Sequence, residues 1–247
     1  MLKRIILILV MILSVQMSGQ CLRLLHQLAS QQGTPYFPIT VTSTSTQAQT
    51  NGQASSLAIT VNVSTDDSMG VLLVTLDQSH TVSSVTDNQG SNWVEALSVI
   101  DGGIAVYIFY TNDLTTTGNR TVTVTPDLSS NMAIGAITID NSESAPSGTE
   151  STNISSGNNV SVSISPSGDD SIIIFGMTTG GAQFISNFGA GQVEEMNIRI
   201  AGSPSSKRHN GAMTSEIITS SSSNTQTAYQ STGGQPWVAL ALEIKHN

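Results

Sequence analysis

The chain has 247 residues, of which 38% are hydrophobic and only 10% charged, and its net charge is −9. That length buries a full-sized core without help from metal, and a lone cysteine excludes any intrachain disulfide. An acidic balance with no basic stripe argues against binding nucleic-acid phosphates, and apolar residues arranged in strand patterns argue against disorder.

Residues 1–20 have the basic start (Lys3, Arg4) and short apolar run (residues 5–15) of a secretory signal peptide, and that run is too short to span a bilayer. Export follows, with the protein secreted or held at the cell surface. Residues 18–21 (S-G-Q-C) resemble a lipobox, with Gln20 as the departure. Lipidation of Cys21 therefore stands beside ordinary cleavage near Gly19, and any membrane attachment is expected only through the N-terminal segment or that lipid. Residues 21–55 read as a Ser/Thr/Gln-rich tether, with weak helical spacing over 22–29 and one strand near 39–42 that a neighbouring copy is able to accept.

From residue 56 the period is two. A pattern then occurs twice. Residues 57–63 (L-A-I-T-V-N-V) lead through Asp66-Asp67-Ser68 into V-L-L-V, and residues 160–164 (V-S-V-S-I) lead through Asp169-Asp170-Ser171 into I-I-I-F. Residues 94–100 are echoed by 193–200, and each copy closes on an apolar strand, at 132–137 and 237–242. Turn signals at 87–90, 101–103, 117–119, 165–168 and 180–181 separate the runs, and no βαβ alternation appears. The prediction is an all-β, antiparallel β-sandwich, jelly-roll or Ig-like, over 56–247, built of two related halves at 56–141 and 157–247. One compact body and tandem domains both fit that pattern. Alternation buries Val122, Val124, Leu240 and Leu242 and turns Thr121 and Thr123 outward.

The stretch 85–93 reads V-T-D-N-Q-G-S-N-W, and the chain continues through Tyr110, through G-N-R-T-V-T-V at 118–124 and into W-V-A-L at 237–240. Together these resemble a recurrent, largely uncharacterised β-sandwich domain of secreted bacterial and phage surface proteins. That domain has Asn directly after the Gly, where Ser91 intervenes here. The resemblance implies a surface-exposed or appendage-associated module and brings no catalytic residues.

No metalloprotease, nucleophile-elbow, P-loop or dinucleotide motif is present, and His26, His80, His209 and His246 are scattered. No enzyme activity is expected, and no cofactor other than calcium. The paired carboxylates Asp66 with Asp67 and Asp169 with Asp170 are the calcium candidates, as hard oxygen ligands in turns; Asp is also common in turns because it bonds nearby amides. Trp93, Tyr107, Tyr110, Tyr229 and Trp237 are candidates for a sugar-stacking platform and equally for core packing. The leading expectation is an exported structural or adhesive surface protein, such as a subunit of an extracellular filament or virion-like appendage, whose partners are itself or a surface glycan or protein. The alternatives are a carbohydrate-binding module and a secreted glycan hydrolase, the latter needing two carboxylates across a cleft.

Overall fold

Alternating runs and continuous apolar runs form the strands β1 (Thr40–Val41), β2 (Thr46–Gln49), β3 (Leu57–Val63), β4 (Ser68–Asp77), β5 (Val82–Asp87), β6 (Val94–Asp101), β7 (Ile104–Leu114), β8 (Gly118–Pro126) and β9 (Met132–Asp140). They continue as β10 (Glu150–Ser156), β11 (Asn159–Ile164), β12 (Ser171–Gly180), β13 (Ile185–Ser186), β14 (Val193–Ile200), β15 (His209–Ile218), β16 (Asn224–Gln230) and β17 (Pro236–Lys245). The computed structural model describes residues 37–42, 46–50, 52–65, 68–77, 80–167, 170–181, 183–200, 209–219, 222–231 and 234–247. The signal segment 1–20, Cys21 and most of the 21–55 tether lie outside the described residues. So do Asp66, Asp67 and Asp169.

Every named strand pair is antiparallel and falls into one of four sheets. A six-stranded sheet runs β9-β4-β7-β6, with β1 and β2 both pairing the outer side of β9. A five-stranded sheet runs β10-β17-β12-β15-β14, and the two small sheets are β3-β8-β5 and β11-β16-β13. Turn chemistry fixes the joins. Asp101 pairs with Ile104 across Gly102 and Gly103, both at positive φ, which is the two-residue hairpin turn that needs glycine.

The apolar runs explain how the sheets stack. Along β4, Val71 and Leu73 enter one cluster while Leu72, Val74 and Leu76 enter another, so both faces are buried. Along β12, Ile172 and Ile174 join the cluster of Val71 and Leu73, while Ile173, Phe175 and Met177 pack toward β11 and β16. The two large sheets therefore face each other, with β9 against β14, β4 against β15, β7 against β12 and β6 against β17. Each small sheet covers an outer face, giving four layers around three apolar seams within the compact unit Pro38–Asn247. Each fully buried Leu or Ile contributes about 1.5–3 kcal/mol.

The expected register holds: Val122, Val124, Leu240 and Leu242 are buried, Thr121 is exposed, and Thr123 is half-buried. The tether also contributes. Ile39 is buried in the central seam, and Thr42 donates its amide to the Thr138 carbonyl. Close approach of the large sheets depends on small residues. A Cβ on Gly176 would collide with Leu73, and one on Gly135 would sit 2.6 Å from Met196 Sδ.

Candidate functional site

The turn at 87–93 is a structural clasp. Asp87 Oδ1 accepts from the Gln89 and Ser91 amides at 2.9 and 3.0 Å, and Oδ2 accepts from Trp93 Nε1 at 3.2 Å. Arg120 on β8 lies 3.6 Å from Asp87 with both side chains buried, and also donates to Ser91 Oγ. Burial opposes ionisation of Asp87, but the Ser91 and Gln89 donors and the Trp93 indole outweigh it and hold the carboxyl below its ordinary value. Asn88 fastens the turn to β8 by accepting from the Thr121 amide.

Of the calcium candidates, Asp170 is described. It is half-buried at φ 56°, and its main-chain oxygen accepts from the His246 amide at 3.2 Å. Among the described residues no group of three His, Cys, Asp or Glu side chains is placed to hold a metal. Asp140 accepts from the hydroxyls of Thr42, Thr65 and Ser68, the last two flanking the first Asp-Asp pair in sequence. Glu243 is held similarly. Burial raises its proton affinity, but the amides of Ser167 and Thr149 and the Ser167 hydroxyl bring the carboxyl below its ordinary value.

The aromatic candidates are divided between seams, with Trp93 and Tyr107 in one cluster and Trp237 in another. Trp93, Tyr107 and Trp237 are buried, and Tyr110 and Tyr229 are half-buried. The Tyr107 hydroxyl donates to the His80 carbonyl, and burial, with Glu95 and Asp127 nearby, pushes its pKa up to about 12. Among the described residues of the 38–247 unit, Phe184 is an exposed aromatic whose ring carries Arg199 at 4.4 Å.

Two further features escape sequence reasoning. In the central seam, fully buried His209 has its pKa lowered to about 4 because burial outweighs the pull of Asp77 and the Thr75 main chain. Asp77 is itself buried and accepts from Ser130 Oγ, the Asn131 amide and Asn131 Nδ2. In the outer seam, Thr179 pairs with Asn210 on one side and Trp237 on the other, placing three polar groups in one row. Gln230 of β16 faces that row from the small sheet.

The sheet edges differ in character. β6 and β14 each carry a bulge, between Glu95 and Leu97 and between Glu194 and Met196. The extra residue in β14, Glu195, turns inward to accept from Ser215 Oγ, and burial raises its pKa. Bulges and inward charges are devices that block edge pairing. Among the described residues β10 pairs with β17 alone, has no bulge, and between Glu150 and its end is uncharged and largely exposed, including Ile154. Compared with known proteins, the chain matches no protein-family model, no curated protein and no solved structure.

Proposed function

We propose that the protein is an exported structural or adhesive surface protein that acts without catalytic turnover and associates with copies of itself through β10. Two related sandwich halves, 56–141 and 157–247, of jelly-roll or Ig-like kind, would flank that edge, which lies between them in the chain. The observation that carries the reading is the contrast among edges: β6 and β14 are bulged and acidic, whereas β10 offers a smooth edge of Ser, Thr, Asn and Ile. The occupant is the β10 of a second copy, paired antiparallel so that the five-stranded sheet continues across two chains.

The low-charge, hydroxylated surface, the signal-like residues 1–20 and the resemblance of 85–93 to a surface-protein domain support the same assignment. Two substitutions on β10 test it: Ile154→Lys adds an edge charge, and Thr152→Pro removes an edge donor. Negative-stain imaging and sedimentation of the mature protein should show assemblies that both variants abolish without changing the circular dichroism. A wild-type protein that stays monomeric at every concentration, or variants that still assemble, would reject the proposal.

A further inference from the structure

We infer that the outer seam between the five-stranded sheet and β11-β16-β13 ends in a binding site for one neutral, polyhydroxylated ligand, a sugar residue being the class its groups fit. The site is built by Asn210, Thr179 and Trp237, adjacent on β15, β12 and β17, with Gln230 opposite on β16. Strand alternation points the row into this seam, because Met177, Ala212 and Ala239, two residues away on the same strands, pack there. All four side chains are at least nine-tenths buried.

Asn210 Oδ1 and Nδ2, Trp237 Nε1 and Gln230 Oε1 have no hydrogen-bond partner among the described residues. Gln230 Nε2 is occupied by the carbonyls of Gly157 and Gln235, which fixes the amide and leaves its oxygen as the open acceptor. Buried polar groups in folded proteins are almost always paired, so these atoms call for a partner that the described residues do not supply.

The other half of the molecule provides an internal comparison. At the matching place in the six-stranded sheet, Leu76 pairs with Ala105 and Met132, with Val124 of β8 in the same seam. All four are buried and apolar. The architecture thus closes this end with hydrocarbon in one seam and with an amide, a hydroxyl, an indole N–H and a second amide in the other, so the polarity is not a requirement of the fold.

Two open donors and two open acceptors, with no charged side chain in the row, select a neutral ligand whose groups both give and accept hydrogen bonds. Hydroxyls on a ring do this, and an indole packs well against ring C–H groups. The row is one residue from the end of β12, at Gly180, so the ligand would enter from the sheet end. This inference is independent of assembly through β10, since binding is read on monomeric protein.

The test titrates the full chain with glucose, galactose, mannose and N-acetylglucosamine, following tryptophan fluorescence and ligand-observed NMR. At least one sugar should saturate the protein, and Asn210→Ala should weaken it tenfold or more. A triple variant, Asn210→Ala, Thr179→Leu and Trp237→Met, copies the apolar row, should fold, and should bind nothing. Gln230→Met gives a second reading if Asn210→Ala weakens the fold. Absence of saturation by every sugar, with ordered water alone on these atoms in a crystal structure, overturns the inference, as does binding that survives Asn210→Ala and Gln230→Met unchanged.

Discussion

Gly176→Ala should destabilise the protein even though backbone considerations alone predict the reverse. Replacing a strand glycine with alanine at a compatible conformation stabilises by about 0.4–1 kcal/mol through the unfolded chain. Here the new methyl would enter the central seam against Leu73 Cδ1 and 3.2 Å from Leu240 Cδ1. Both leucines are fully buried, so neither has room to retreat. Overpacking of this kind costs about 1–3 kcal/mol, giving a net loss of about 1–2 kcal/mol and a fall in Tm of about 2–8 °C at this size. Leu73→Ala alone should cost about 2–5 kcal/mol. The double variant should cost less than the sum, by about 0.5–3 kcal/mol, because the added methyl occupies space that the leucine vacates. Urea denaturation of the four proteins measures the cycle. Stabilisation by Gly176→Ala, or strict additivity in the double variant, would refute close packing of the two large sheets at this point.

Asp87→Ala should cost about 3–5 kcal/mol because it leaves the Arg120 charge buried, and adding Arg120→Met should restore part of the loss, with Trp93 fluorescence reporting the clasp. Between pH 6.5 and about 4 the unfolded chain protonates His209 while the folded chain does not, so stability should fall on acidification by about 3 kcal/mol; His209→Gln should flatten that window in pH-dependent denaturation. Glu243 acts at lower pH, because the stability from its depressed pKa is complete above 4.5 and lost as pH falls below that; Glu243→Gln should lower stability at neutral pH and remove this acid limb. Residues 38–141 expressed alone should self-associate in light scattering, since Val71, Leu73, Val106, Ile108 and Ile137 lose their cover. A monomeric, cooperatively folding fragment would refute the shared central seam.

Strand content and register were legible because period two is a direct geometric consequence of the extended chain. Val122 and Val124 against Thr121 show it plainly. The stacking was not legible. A run such as V-L-L-V at 71–74 announces that both faces are buried, but nothing in it says which sheet covers each face. Asp87 was visible as part of the turn signal at 87–90, whereas its partner Arg120 lies on a separate strand and only tertiary structure brings the two together. The polar row was hidden because Thr, Asn and Gln in a strand read as solvent-facing residues. The signal that would have exposed it was the comparison of T-L-D at 75–77 with T-T-G at 178–180.

The central seam also constrains when the molecule can finish folding. Val238, Leu240, Leu242 and Ile244 all come from the last strand, yet they cover side chains such as Leu73 and Ile108, which are made far earlier. Until β17 emerges, the first half carries an uncovered apolar sheet, and the pairings that complete the stack span most of the chain. Such long-range closure is slow. A nascent chain would therefore stay incompletely folded until β17 is available, which makes that strand the step that commits the molecule to its native form.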